Sequence, residues 1–264
     1  MPYFDNNGTK IHYEIIGKGP EVVMIHGFAS SLQGNWIDAN WADALSDNYK
    51  LILVDCRGHG KSDKPVNPSQ YGEHMTDDIV KLLDHLSIEK ANFIGYSMGS
   101  SITFNLLLRK PELFKSAILG GFVLRFISDE ESPRAENQTS QIIEALKAKD
   151  KDNIKNPVAL RFRLFAESTG ANLEALSAVM KGGGPERRIF KSKSQMDEAL
   201  KKIRVPVMTV VGSDDFIPGD KTLIAQLVPD ACHFQIQGKD HLTVVPDPKF
   251  HMVVKAFLDF VNNE

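Results

Sequence analysis

Apolar residues along this chain fall into two repeating patterns. Short, mostly aliphatic runs at 9–16, 21–25, 51–54, 91–94, 117–119, 205–211 and 233–237 read as strands. Between them the apolar positions return every three or four residues. In 76–86, Ile79, Leu82, Leu83 and Leu86 share one face while Asp77, Asp78, Lys81 and Asp84 lie elsewhere, as in a helix docking one side on a sheet. Helices are expected on similar grounds near 36–45, 97–109 and 220–227. Phe250, Val253, Val254, Phe257, Leu258 and Val261 mark a closing helix. Asn7-Gly8 and Gly17-Lys18-Gly19-Pro20 are turn sequences, so the opening is expected to be antiparallel. From there strand and helix alternate, which predicts a mostly parallel α/β sheet covered on both faces, because each parallel crossover lays a helix on one face or the other.

The alternation stops over 125–191. Helical segments at 136–149, 157–168 and 173–180 follow one another, punctuated by Gly182-Gly183-Gly184-Pro185, before the strand at 205–211 restores the rhythm. The expected organisation is one core built from 1–124 and 192–264, with 125–191 inserted as a helical cap. A chain of 264 residues is long enough for one such domain and short for two. No internal repeat or low-complexity tract is present.

Composition narrows the partners. The net charge is −3 with Lys and Arg spread along the chain, so neither nucleic acid nor an acidic membrane surface is expected, and small molecules are. Cys56 and Cys232 both sit in apolar stretches and read as two buried thiols rather than a disulfide or a metal site. Met1-Pro2-Tyr3-Phe4-Asp5 lacks the basic and apolar regions of an export signal, and no apolar run approaches a membrane span. A cytoplasmic location is the expectation.

One stretch carries chemistry. The apolar run Asn92-Phe93-Ile94 breaks into Gly95-Tyr96-Ser97-Met98-Gly99 and then into a helix-like segment, the sequence of a sharp turn that exposes a serine Oγ. An attacking serine needs a base, an acid to orient that base, and donors for the oxyanion. His241, in a loop just past the last strand, is the candidate base. Asp215, after the strand at 205–211, is the candidate acid, with Asp214 a close competitor that differs only in its spacing from the strand end; Asp240 is too near His241 in the chain to face it. The backbone amides of Met98 and Phe28 are the candidate oxyanion donors, the second because Gly27 lets the chain turn as the apolar run Met24-Ile25 ends. His26 reads as a structural histidine bonded to backbone.

Taken together, His26-Gly27, Asp55-Cys56-Arg57-Gly58-His59-Gly60-Lys61-Ser62, Gly95-Tyr96-Ser97-Met98-Gly99, Asp215 and His241 resemble the α/β-hydrolase fold family over nearly the whole chain. The resemblance implies an eight-stranded, mostly parallel sheet with flanking helices and a cap inserted before the acid-bearing strand. It also implies a scaffold role for Arg57 and His59. Haloalkane dehalogenases of the family carry Asp where this chain has Ser97, so their chemistry is disfavoured; the elbow looks most like the small esterase and perhydrolase-like group. The expected function is a serine hydrolase acting on a small carboxylic ester or related acyl compound and water, with no metal or organic cofactor. A C–C bond hydrolase and a slow-turnover ligand-binding or signalling protein are the alternatives. The first would enlist Arg161, Arg163, Arg187 and Arg188 for a substrate carboxylate, residues that otherwise read as a solvated basic face. Phe126, Phe162, Leu164, Phe165 and Met180 are candidate walls of an apolar substrate pocket, or else the core of the cap.

Overall fold

Apolar runs of the kind read above pair into a single eight-stranded sheet in the computed structural model, which describes residues 2–124, 132–183, 190 and 192–263, with 132–135 by backbone alone. The strands are β1 (Tyr3–Asn6), β2 (Thr9–Ile16), β3 (Glu21–Ile25), β4 (Lys50–Val54), β5 (Ala91–Tyr96), β6 (Phe114–Gly120), β7 (Val207–Gly212) and β8 (Cys232–Ile236). Their spatial order is β1-β2-β4-β3-β5-β6-β7-β8. Among the described residues only the β1–β2 and β2–β4 pairings are antiparallel. β2 and β3 do not pair as a hairpin, because β4 lies between them. The central strands β3, β5, β6 and β7 are buried on both faces, which is why they read as continuous apolar runs rather than as alternation.

On one side α2 (Glu73–Leu86) and α3 (Met98–Arg109) cover the sheet; on the other lie α1 (Trp41–Leu45) and α9 (Pro248–Asn262), with Trp41 edge-on to Phe250 at 4.8 Å between ring centres. The segment expected as one helix over 36–45 is split: a π-helical turn, Gln33–Ile37, comes first, and Asn40 in the left-handed region (φ 61°) separates it from α1. Between β6 and β7 come α4 (Ser132–Lys147), α5 (Pro157–Ser168), α6 (Leu173–Lys181) and α7 (Lys193–Leu200), followed after β7 by α8 (Leu223–Leu227). Asn156 and Asn172 start α5 and α6 by accepting backbone N–H groups of their first turns. No helix among the described residues is long and apolar enough to cross a membrane.

The two thiols differ. Cys56 is buried, and desolvation pushes its pKa well above the usual thiol range; Cys232 is exposed, contrary to the expectation of two buried thiols. The reason is position: β8 is an edge strand, and its first residue has no covering layer on the outer side.

Candidate active site

Ser97 stands between β5 and α3 with φ 51° and ψ −110°, a conformation that costs a residue with a side chain about 1–3 kcal/mol. The neighbouring glycines permit it. A Cβ at Gly99 would lie 1.9 Å from the carbonyl oxygen of Ile25, so α3 can press against β3 only with hydrogen there, and one at Gly95 would lie 2.4 Å from the Gly99 carbonyl. The Ser97 N–H is anchored on the Gly120 carbonyl at 2.8 Å. The turn therefore holds the hydroxyl at the carboxyl edge of the parallel strands, where loops converge.

Two of those loops bring the partners. Ser97 Oγ lies 2.8 Å from Nε2 of His241, and Nδ1 of the same ring lies 2.8 Å from Oδ2 of Asp215. With Nδ1 donating to the carboxylate, Nε2 is left as acceptor for the serine proton. The second oxygen of Asp215 accepts the Ile217 N–H at 2.8 Å, so the carboxylate is fixed in orientation. Asp214 points elsewhere: it is exposed and accepts the Ser213 hydroxyl. Asp240 turns back on its own loop, accepting the N–H groups of Leu242 and Thr243, which hold its carboxyl below the usual range against the opposing effect of desolvation. The His241 ring lies between Tyr96 and Phe216, at 5.4 and 5.5 Å between centres. The buried Tyr96 hydroxyl donates to the His241 carbonyl, and desolvation raises its pKa well above the usual phenol value, so it stays a neutral donor.

Among the described residues neither the Phe28 nor the Met98 amide has a hydrogen-bond acceptor. Met98 opens α3, where the first N–H groups are unpaired by construction. Phe28 follows β3 in a turn, its ring edge-on to His59 and to Phe162, each at 5.8 Å. His26 is bonded to backbone through both nitrogens, to the Gly27 carbonyl at 2.7 Å and from the Cys56 N–H at 3.0 Å. Burial lowers its pKa; burial and the nearby His26 together take His59 down to about 3. Arg57 forks onto Asp78 with two bonds of 2.6 Å, both side chains buried, and so belongs to the scaffold.

Ser97, Tyr96 and His241 border a cavity of about 270 Å³, with Phe28 and Asn35 on one wall and Phe162 and Phe165 of α5 on another. Met180 does not border it; that side chain packs into the core beneath α6 instead. Leu164 is exposed on the far side of α5. Phe126, Arg187 and Arg188 lie outside the described residues. Arg163 is not part of a solvated face: it is buried, pairs with Glu167 at 2.8 Å and donates to the carbonyls of Ala145, Leu146 and Ala148 at the end of α4, while Arg161 is exposed over the Phe216 ring. Asn35, buried on the wall with its Oδ1 on the Gly27 N–H at 3.1 Å, was not legible beforehand. It lies just before the helix expected over 36–45, on the π-helical turn Gln33–Ile37.

A family model described as alpha/beta hydrolase fold matches residues 20–161. Epoxide hydrolase 3 of Siraitia grosvenorii is 34% identical over 119 residues, 43% of this chain and 36% of that protein. The match spans 35 to 40% of the length of that relative and of three further relatives. Pimeloyl-[acyl-carrier protein] methyl ester esterase of Chromobacterium violaceum is 27% identical over 237 residues, 86% of this chain and 89% of that protein. The crystal structure of a hydrolase from Pseudomonas aeruginosa PA01 superposes with a TM-score of 0.77 at 21% identity, covering 97% of each chain, a likeness of fold.

Proposed function

Because the chain belongs to the alpha/beta hydrolase fold family, we propose that it is a serine hydrolase that cleaves a small carboxylic ester, or a related acyl compound, through an acyl-enzyme intermediate. Carrying this reading is the unbroken row from Asp215 through His241 to Ser97, 2.8 Å at each link, at the foot of the cavity. Ser97 Oγ attacks the carbonyl carbon while His241 Nε2 takes its proton. The tetrahedral oxyanion forms opposite the N–H groups of Phe28 and Met98. Each such donor is worth about 10²- to 10³-fold in kcat. As the C–O bond breaks, the imidazolium returns the proton to the leaving alcohol. Water then attacks the acyl group, again giving its proton to His241, and collapse restores the serine hydroxyl. Asp215 keeps the proton of the neutral ring on Nδ1 and offsets the charge of the imidazolium.

In the same reading 125–191 is a cap over a core of 1–124 and 192–264, and Phe162 and Phe165 bound the acyl group. At about 270 Å³ the cavity is near the lower end of ligand sites, roughly 300–1,000 Å³, which favours short acyl chains.

Treating the wild type with a fluorophosphonate should place a single adduct on the peptide containing Ser97, as read by mass spectrometry. Ser97→Ala should fold normally, take up no label and hydrolyse no p-nitrophenyl butyrate. Label on another residue, or equal hydrolysis by the variant, would overturn the assignment.

A further inference from the structure

The Phe28 amide is delivered by a tight turn, Gly27 to Ser30, closed by the Ser30 N–H on the Gly27 carbonyl at 3.2 Å. Its third residue, Ala29, is buried in the left-handed region at φ 60°, where glycine is the usual occupant. A residue other than glycine is strained in that region and persists where its surroundings fix it. His26 Nδ1 holds the Gly27 carbonyl itself at 2.7 Å, and two further side chains hold the adjoining peptides, one on each side of Phe28. Before it, the Gly27 N–H donates to Asn35 Oδ1 at 3.1 Å, from the π-helical turn. After it, the Ala29 carbonyl accepts the Thr169 hydroxyl at 2.7 Å, from the residue that follows α5. The single Thr169 proton has a second acceptor in its own helix end, the Ala166 carbonyl, at a longer 3.1 Å.

We propose that Thr169 and Asn35 are positioning residues which clamp the Gly27 to Ser30 turn and so keep the Phe28 N–H directed at the oxyanion, an inference that rests on reading Ser97, His241 and Asp215 as a serine-hydrolase array. Neither side chain need touch the reacting atoms. Their effect passes through one backbone amide, whose contribution is made in the transition state and not in substrate binding. The inserted helices thereby take part in the bond-breaking step, because Thr169 reaches into the core loop from the end of α5.

The test uses the full chain as wild type, Thr169→Val, Thr169→Ser, Asn35→Ala and the Thr169→Val/Asn35→Ala double variant. Each is assayed for hydrolysis of p-nitrophenyl butyrate, for inhibition by butaneboronic acid, which forms a tetrahedral adduct on a reactive serine, and for Tm. Thr169→Val should lower kcat by about three- to tenfold with KM within about twofold, and should weaken the boronic acid by the same factor; Thr169→Ser should restore both. The buried Asn35 should cost more, about 10- to 100-fold, and the double variant should lose less than the product of the single losses, since both side chains hold one turn. A Thr169→Val protein with wild-type kcat and inhibition but a lower Tm would reduce Thr169 to a helix-end residue and overturn its part. Should that variant not fold, an Asn35→Ala protein that raises KM alone overturns the clamp. A wild type that takes no fluorophosphonate on Ser97 defeats the underlying reading instead, whereas labelled wild type with unaltered variants defeats the clamp alone.

Discussion

Asp215 and Asp214 are adjacent in the chain and occupy opposite environments, one buried with its oxygens on His241 and Ile217, the other exposed and bonded to Ser213. Spacing from the strand end separates them only weakly, because one residue more or less in a loop leaves the apolar pattern unchanged. The folded loop separates them fully. Asp215→Asn should lower kcat on p-nitrophenyl butyrate by about 10³- to 10⁴-fold with folding retained, because an amide facing Nδ1 favours the wrong ring tautomer. Asp214→Asn should stay within about twofold. If the two variants exchanged these outcomes, the acid would be Asp214. Ser97, His241 and Phe28 were legible because each has a fixed relation to a strand end. Asn35 and Thr169 were not: their contacts are with backbone far away in the chain, and no residue type announces such a bond.

At the scale of elements, the pattern of apolar residues identifies most strands and helices and misses those with few apolar residues. β1 has four residues with alternate positions exposed, and α7 buries only Met196 and Leu200, so neither stands out from loop. The turn after β4 is a denser case. Asp55 accepts the N–H groups of Leu32 and Lys61 at 2.8 Å each and lies 2.8 Å from His12 Nδ1, while a Cβ at Gly60 would collide with its carboxylate at 2.1 Å. His59, in the same turn, is buried, with a consequence for acid stability. The folded chain keeps His59 neutral down to about pH 3, whereas in the unfolded chain it protonates near ~6.5. Between those values the unfolded state binds a proton that the folded state refuses. Stability should therefore fall as pH falls from about 6.5 toward 3, by up to about 1.4 kcal/mol per unit from this group, and be fully present above that window. Urea unfolding midpoints at pH 7, 6, 5 and 4 measure the slope. His59→Gln should flatten it, and an unchanged slope in that variant would count against His59 as the source.

Over the whole molecule, the stretch between β6 and β7 meets the core where the chemistry is proposed to occur: Phe162 touches Phe28, and Phe162 and Phe165 border the cavity above Ser97. Shortening either ring to Ala should widen acyl-chain tolerance, shifting relative kcat/KM between butyrate and octanoate p-nitrophenyl esters by about 10- to 200-fold. An unaltered chain-length profile in both variants would mean that neither ring bounds the acyl group. The order in which the pieces leave the ribosome matters as well. Ser97 and its strained turn lie in the first half of the chain, among strands β1 to β6 that can pair with one another before β7 exists. The proposed base and acid, His241 and Asp215, come only after α4 to α7, on the loops that follow β8 and β7. During synthesis, which proceeds N-terminal part first at about 5–20 residues per second, the serine is thus in place for several seconds with nothing to take its proton. Under the proposed mechanism the serine therefore stays unactivated until the last two strands have docked, and unfinished copies are expected to leave acyl compounds in their surroundings intact.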